Sequence, residues 1–282
     1  MNRAYELLEI LDSRNVCLPA LDIAGGQGDF LRGVLGACET ARCPAWLLVY
    51  APAGAYDSLE ACAETVAFHA ARASVPVLLH LDHGREEQAV EAALACGFDS
   101  VMFDGSALPL EENIRRTRAM ADLAHARGAA IEGEIGRIGA TDRDGIGTHA
   151  LTDPQDASRF VRETGVDILA PAVGNAHGLY EQPPKLRFDL IEQIAAETHV
   201  PLSLHGGTGI PLGDVRRAGQ LGMRKMNVAT GLHRRFSDAL HAAAAGVDRA
   251  DFRWRSALKA AREAVRETAL EIIRPLGCEG IV

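Results

Sequence analysis

Lysine is scarce in this chain: Lys185, Lys225 and Lys259 are the only three in 282 residues, the other basic side chains being arginine. Chemistry through a lysine Schiff base therefore has few carriers. Lys225 alone lies near a strand-like run, at its entrance and so far from the end where barrel strands present catalytic groups. The six cysteines (17, 38, 43, 62, 96 and 278) contain no CxxC pair, which excludes a thiolate zinc site and a disulfide framework and leaves them as small buried hydrophobes. No apolar run approaches the roughly 20 residues of a membrane helix, and MNRAYELLEI lacks the basic-then-apolar order of a secretory signal. A cytoplasmic protein is expected. Basic runs are missing too, and a net charge of -9 argues against nucleic acid as a partner. A small phosphorylated substrate stays compatible, because backbone amides at a helix N-terminus bind phosphate whatever the global charge. Repeats, low-complexity tracts and proline-rich linkers are also lacking, so the expectation is one domain over residues 1–282.

What is present is an alternation of two periodicities. Apolar runs with strand character occupy Val16 to Ile23, Trp46 to Tyr50, Val77 to Asp82, Ser100 to Phe103, Ala129 to Ile135, Ile168 to Ala172, Leu202 to Leu204 and Lys225 to Val228. Between them the apolar positions fall at helical spacing, as at Leu59, Cys62, Ala63, Val66, Ala67 and Ala70. Thr152-Asp153-Pro154 reads as a helix start and Gly165 as its stop, and Pro211 can begin another. Eight strand–helix units at intervals of roughly 25 to 35 residues predict an α/β fold, the (β/α)8 TIM barrel, with a doubly wound open sheet as the alternative. Asp251 to Val282 adds one more long helix and a tail. Two connections are long, Gly136 to Leu151 and Gly174 to Phe188, and both follow strands, on the face where barrel active sites sit.

Three strands end on a histidine followed by glycine: His83 in LLHLDHG, His177 in NAHG and His205 in HGGTG. Three neutral imidazoles meeting at the barrel mouth would leave a fourth position open, the pattern of a catalytic rather than structural zinc site. His69, His125, His199, His233 and His241 carry no such context and are read as ordinary core or surface residues. His80 shares a face with Asp82 and can either support the metal site or fill the core. Asp82 can move a proton or orient a ligand. Asp104, Glu132 and Glu134 also stand at strand ends; Glu132 and Glu134 share a face, which suits either oxygen ligation of a second cation or salt bridging inside the barrel. The glycine-rich run after His205 and the Asn227-Val228-Ala229-Thr230 run occupy the places where this fold often binds phosphate.

LHLDHG, SVMFDGS, EGEIG, GxxHG, HGGTG and KMNVAT occur here in the order and spacing of the class II, metal-dependent ketose-bisphosphate aldolases. The chain resembles that family over about Asn15 to Thr230, and its tagatose-bisphosphate branch most. The resemblance implies a lyase of carbohydrate metabolism, glycolysis included, that splits fructose or tagatose 1,6-bisphosphate into dihydroxyacetone phosphate and glyceraldehyde 3-phosphate. It implies Zn2+ on His83, His177 and His205, holding the charge of an enediolate, and Asp82 as proton donor. It further implies dihydroxyacetone phosphate bound by Gly178, Gly206, Gly207, Thr208 and Asn227 to Thr230, a monovalent cation (Na+), and a homodimer or homotetramer. Asp104 and Glu134 are the candidates for a second cation.

Four positions leave the family pattern. Asp142, in IGATDRD, stands near the place of a loop glutamate thought to move the C3 proton. Asp22 replaces an asparagine, Thr208 a serine, and Gly231 an acidic residue. These departures keep two alternatives in view: a shifted substrate, such as a deoxy-keto acid phosphate or a ketose lacking one phosphate, or a non-catalytic sugar-phosphate-binding homologue.

Overall fold

The computed structural model describes residues 3–50, 58–139, 151–182, 184–245 and 254–282, so Asp142 lies outside the described residues. Eight parallel strands, β1 (Leu18–Asp22), β2 (Ala45–Tyr50), β3 (Val77–Gly84), β4 (Ser100–Phe103), β5 (Ala130–Ile135), β6 (Ile168–Pro171), β7 (Leu202–Leu204) and β8 (Met223–Val228), form a closed barrel in chain order. The last strand pairs with the first, Ala20 opposite Asn227. Every strand residue except Tyr50 is buried, as expected of parallel strands covered by helices.

The helices begin and end where local chemistry dictates. Asp153 accepts from the amides of Gln155 and Asp156 at the start of α6 (Pro154–Thr164), and Gly165, left-handed, closes it. The helix α8 (Leu212–Gln220) starts directly after Pro211. At the other end of the chain, α1 (Arg3–Arg14) crosses the N-terminal ends of the strands, with Arg3 on the Val77 carbonyl and Tyr5 on Asp167. That leaves the opposite, C-terminal mouth open.

The terminal helix α10 (Trp254–Ile273) buries Ala257, Ala261, Val265, Ala269 and Ile273 against its neighbours α2 (Gly28–Ala41) and α9 (Thr230–Ala245). The tail beyond it is tied to α2 by Gly280 N–H on Ala41 and Val282 N–H on Arg42. The long helix expected near the C-terminus thus covers the barrel wall through contacts within this chain.

Candidate active site

Alternation along β3 puts His80 and Asp82 on the inner face and would turn His83 outward. The strand avoids this by a register shift against β4 between Leu81 and Gly84, and by a left-handed backbone at His83 (φ 50°). Such a conformation is uncommon for a non-glycine residue and costs energy, which the surrounding contacts must offset. Gly84 makes the shift feasible, since a Cβ there would lie 2.6 Å from the Met102 carbonyl. As a result a carboxylate and an imidazole, neighbours in sequence, both face the mouth.

His177 arrives from the loop after β6 and His205 from the end of β7. His83 Nε2 lies 3.0 Å from His177 Nε2 and 3.1 Å from His205 Nδ1. Three ring nitrogens thus point at one place, and their other nitrogens are occupied. His83 Nδ1 meets Asp104 Oδ2 at 2.9 Å, His205 Nε2 meets Glu132 Oε1 at 2.6 Å, and His177 bonds the Ile138 backbone. Carboxylate and carbonyl partners accept, so each ring keeps its proton on the far side and turns a lone pair inward. This donor set fits a divalent, nitrogen-preferring metal with coordination positions left for substrate.

The electrostatics distinguish the rings. Burial pulls His177 down to about 3, assisted by its two histidine neighbours. Burial opposes charge on His83 too, but Asp82, Asp104 and Glu134 outweigh it and push this ring up to about 9. Glu134 is pushed up to about 8, by burial first and by Asp104 second, and its Oε2 accepts no hydrogen bond among the described residues, His83 Nδ1 lying 3.8 Å away. His83, Asp104 and Glu134 bring ligand atoms within 4.8 Å of one another, the acidic group anticipated for a second cation. Asp104 is also held by the Ser106 amide and hydroxyl.

The two glutamates of EGEIG share the inner face as expected but divide in role. Glu132 pairs with Lys225 at 2.8 Å, deep in the barrel, so the salt-bridge alternative holds for it. The placement of Lys225 needs correction. It is the third residue of β8, not its entrance, and by alternation points inward with Asn227, one hydrogen-bonded residue removed from His205. Asn227, expected with the phosphate group, turns its side chain to Asp82 Oδ1 at 2.8 Å. His80 is fully buried on Ser100 Oγ at 2.6 Å, below the site.

The loops after β6, β7 and β8 are locked together. Gly206 has φ 66°, and any Cβ there would collide with the Ala176 carbonyl, so only glycine lets the two loops touch. Gly207 N–H bonds the Asn227 carbonyl at 2.9 Å, Gly178 is also left-handed, and Ala229 and Thr230 line the cleft at the first turn of α9, just beyond the buried Val228. Tyr180 escaped the sequence reading, which offers no signal for it. Its hydroxyl accepts from Ala176 N–H at 2.8 Å and donates to the Ala176 and Gly206 carbonyls, and burial pushes the phenol up to about 12, so it stays a donor. Tyr180→Phe is expected to lower unfolding stability by about 1–2 kcal/mol by leaving these groups unpaired. An unchanged denaturation midpoint would show the brace to be idle.

The mouth opens into a cleft of about 1200 Å³ lined by Asp22, Tyr50, Asp82, His83, Thr230 and His233 among others. The sequence model of class II fructose-bisphosphate aldolase matches residues 2–281. This chain belongs to that family. It is 40% identical over 208 residues to the fructose-bisphosphate aldolase of Geobacillus stearothermophilus, covering 73% of this chain and 72% of that one. A sulfofructosephosphate aldolase of Alkalicoccus urumqiensis is 36% identical over 90% of this chain and 89% of its own length. Among solved structures, the YdjI aldolase of Escherichia coli K12 superposes with a TM-score of 0.84 at 30% identity, covering 98% of this chain and 97% of that one. The protein is accordingly a lyase that performs aldol cleavage of a phosphorylated ketose.

Within the family, two departures in the sequence prove to be paired in space. The Thr208 methyl lies 3.2 Å from where a Cβ at position 231 would sit, and its hydroxyl accepts the Gly231 amide at 3.0 Å. Threonine at 208 and a bare backbone at 231 therefore suit one another. Asp22 Oδ1 meets both the Ala24 amide and His233 Nε2 at 2.7 Å. His233, set aside in the sequence as ordinary, is thus a cleft residue by virtue of its partner.

Proposed function

We propose that the protein is a zinc-dependent aldolase for a ketose 1,6-bisphosphate, fructose or tagatose, yielding dihydroxyacetone phosphate and glyceraldehyde 3-phosphate. The observation that carries this reading is the convergence of His83 Nε2, His177 Nε2 and His205 Nδ1 with each opposite nitrogen already bonded. A zinc ion held by His83, His177 and His205 would supply positive charge to polarise the C2 ketone and to offset the charge that develops at C3 as C3–C4 is cleaved. As that bond breaks, the C4 hydroxyl must lose its proton, and Asp82, lining the cleft beside His83, takes it; in condensation it returns the proton. Gly178, Gly206, Gly207 and Thr208, with the amides of Val228 to Thr230 at the start of α9, are assigned to the phosphate of dihydroxyacetone phosphate, on the positive end of the helix dipole. Asp142 is assigned the C3 proton, and Asp104 with Glu134 a second cation, Na+ by resemblance. We place the protein in the cytoplasm as one barrel domain that forms a homodimer or homotetramer.

A second reading, a shifted substrate, is favoured by one feature: the Asp22 carboxylate and His233 on the cleft wall, where the family has an amide. Cleavage of fructose and tagatose bisphosphates, followed by coupled reduction of dihydroxyacetone phosphate with zinc and again after chelation, tests both. The leading reading expects zinc-dependent turnover, fastest with one of the two bisphosphates. Faster turnover of a monophosphate or a sulfofructose phosphate would favour the second, and no turnover of any ketose phosphate would leave a binding protein.

A further inference from the structure

Barrel interiors of this class are ordinarily filled by branched apolar side chains. Beneath this mouth the filling is polar: His80, Ser100, Glu132, Ser203 and Lys225 are all fully buried. At its centre the Lys225 ammonium lies 2.8 Å from Glu132 Oε2, 2.6 Å from Asn227 Oδ1 and 3.4 Å from Ser203 Oγ. We propose that Lys225 is a positioning residue that orients the proton-transfer group Asp82 and the metal-facing nitrogen of His205 together; this rests on the aldolase reading above.

The Lys225 ammonium has a fixed hydrogen-bonding capacity. It donates three hydrogen bonds and accepts none, so the Asn227 atom it meets must be the amide oxygen. The amide nitrogen is thereby turned to Asp82 Oδ1, 2.8 Å away. An unlocked asparagine presents oxygen or nitrogen with similar ease, and oxygen would repel the carboxylate. Lys225 therefore selects the rotamer that holds Asp82 in register.

The second arm runs through Glu132. The Lys225 ammonium donates to Glu132 Oε2 at 2.8 Å, and this ion pair leaves the other carboxylate oxygen, Oε1, facing His205. As a carboxylate Glu132 accepts from His205 Nε2 at 2.6 Å, which leaves the Nδ1 lone pair aimed at His83 and His177. One cation thus fixes the amide orientation on one side and the imidazole tautomer on the other. An apolar pair of equal volume would fill the same space without desolvating two charges, so packing alone gives no reason for this choice.

The test uses the full chain carrying Lys225→Met, and Lys225→Met with Glu132→Gln. The single change strands a buried carboxylate and can unfold the barrel; the double change removes both charges and keeps an acceptor for His205. Three quantities are read: the thermal midpoint of the metal-free protein, zinc affinity by chelator competition, and kcat and KM at saturating zinc. The expected result for the double variant is a near wild-type midpoint, zinc affinity reduced about 10- to 100-fold, and kcat reduced by about the same factor with little change in KM. Wild-type zinc affinity and kcat in the folded double variant would overturn the proposal, and so would a loss of midpoint alone. If the wild type turns over no ketose phosphate, the aldolase reading fails, while the zinc competition still decides the His205 arm by itself.

Discussion

His205→Ala is expected to abolish zinc retention and ketose-phosphate cleavage together. His205 is fully buried, and its two nitrogens have separate tasks: Nε2 is committed to Glu132, and Nδ1 completes the group with His83 and His177. Two imidazoles hold zinc far less tightly than three. The change also leaves Glu132 Oε1 without its donor in the barrel core, so a fall in unfolding stability of about 1–3 kcal/mol should accompany the loss of metal. Metal content after dialysis, with an unfolding curve on the same sample, provides the check. A folded variant that keeps one tightly held zinc per chain would show the ligand assignment to be wrong.

Asp82→Asn is expected to keep the metal and the fold while lowering turnover by about 100-fold or more. The asparagine oxygen can still accept from Asn227, and none of the three ring nitrogens is bonded to Asp82, so the metal group is untouched. What disappears is a group able to take and return the C4 proton. Because the substitution does not alter the α9 loop, KM should change much less than kcat. Steady-state kinetics at saturating zinc, set beside metal content, decide the matter; near-normal cleavage would remove Asp82 from the mechanism.

Much of this protein was legible in its sequence because the signals are local. The alternation of strand and helix follows from side-chain periodicity within each segment, and the limits of α6 from Asp153, Pro154 and Gly165, a few positions apart. The three histidine–glycine strand ends could likewise be placed on one face, since parallel strands in a barrel all finish at the same end. Sequence alone also determined the family, through motifs spread over most of the chain.

Tertiary structure decided what depends on partners remote in sequence. His205 and Glu132 lie 73 positions apart, and Asp22 and His233 lie 211 apart, and no periodicity links such pairs. The tautomers of the three histidines, the match of Thr208 with Gly231, and the turn that brings His83 to the same side as Asp82 were settled only by packing. Lys225 shows the difference most plainly. Its sequence position suggests the far end of a strand, but β8 starts two residues earlier than its apolar run, and that offset sets the ammonium beneath the site. The physical reason is that a barrel closes all its strands around one axis, so a side chain's neighbours are set by register around the ring, which no single strand encodes.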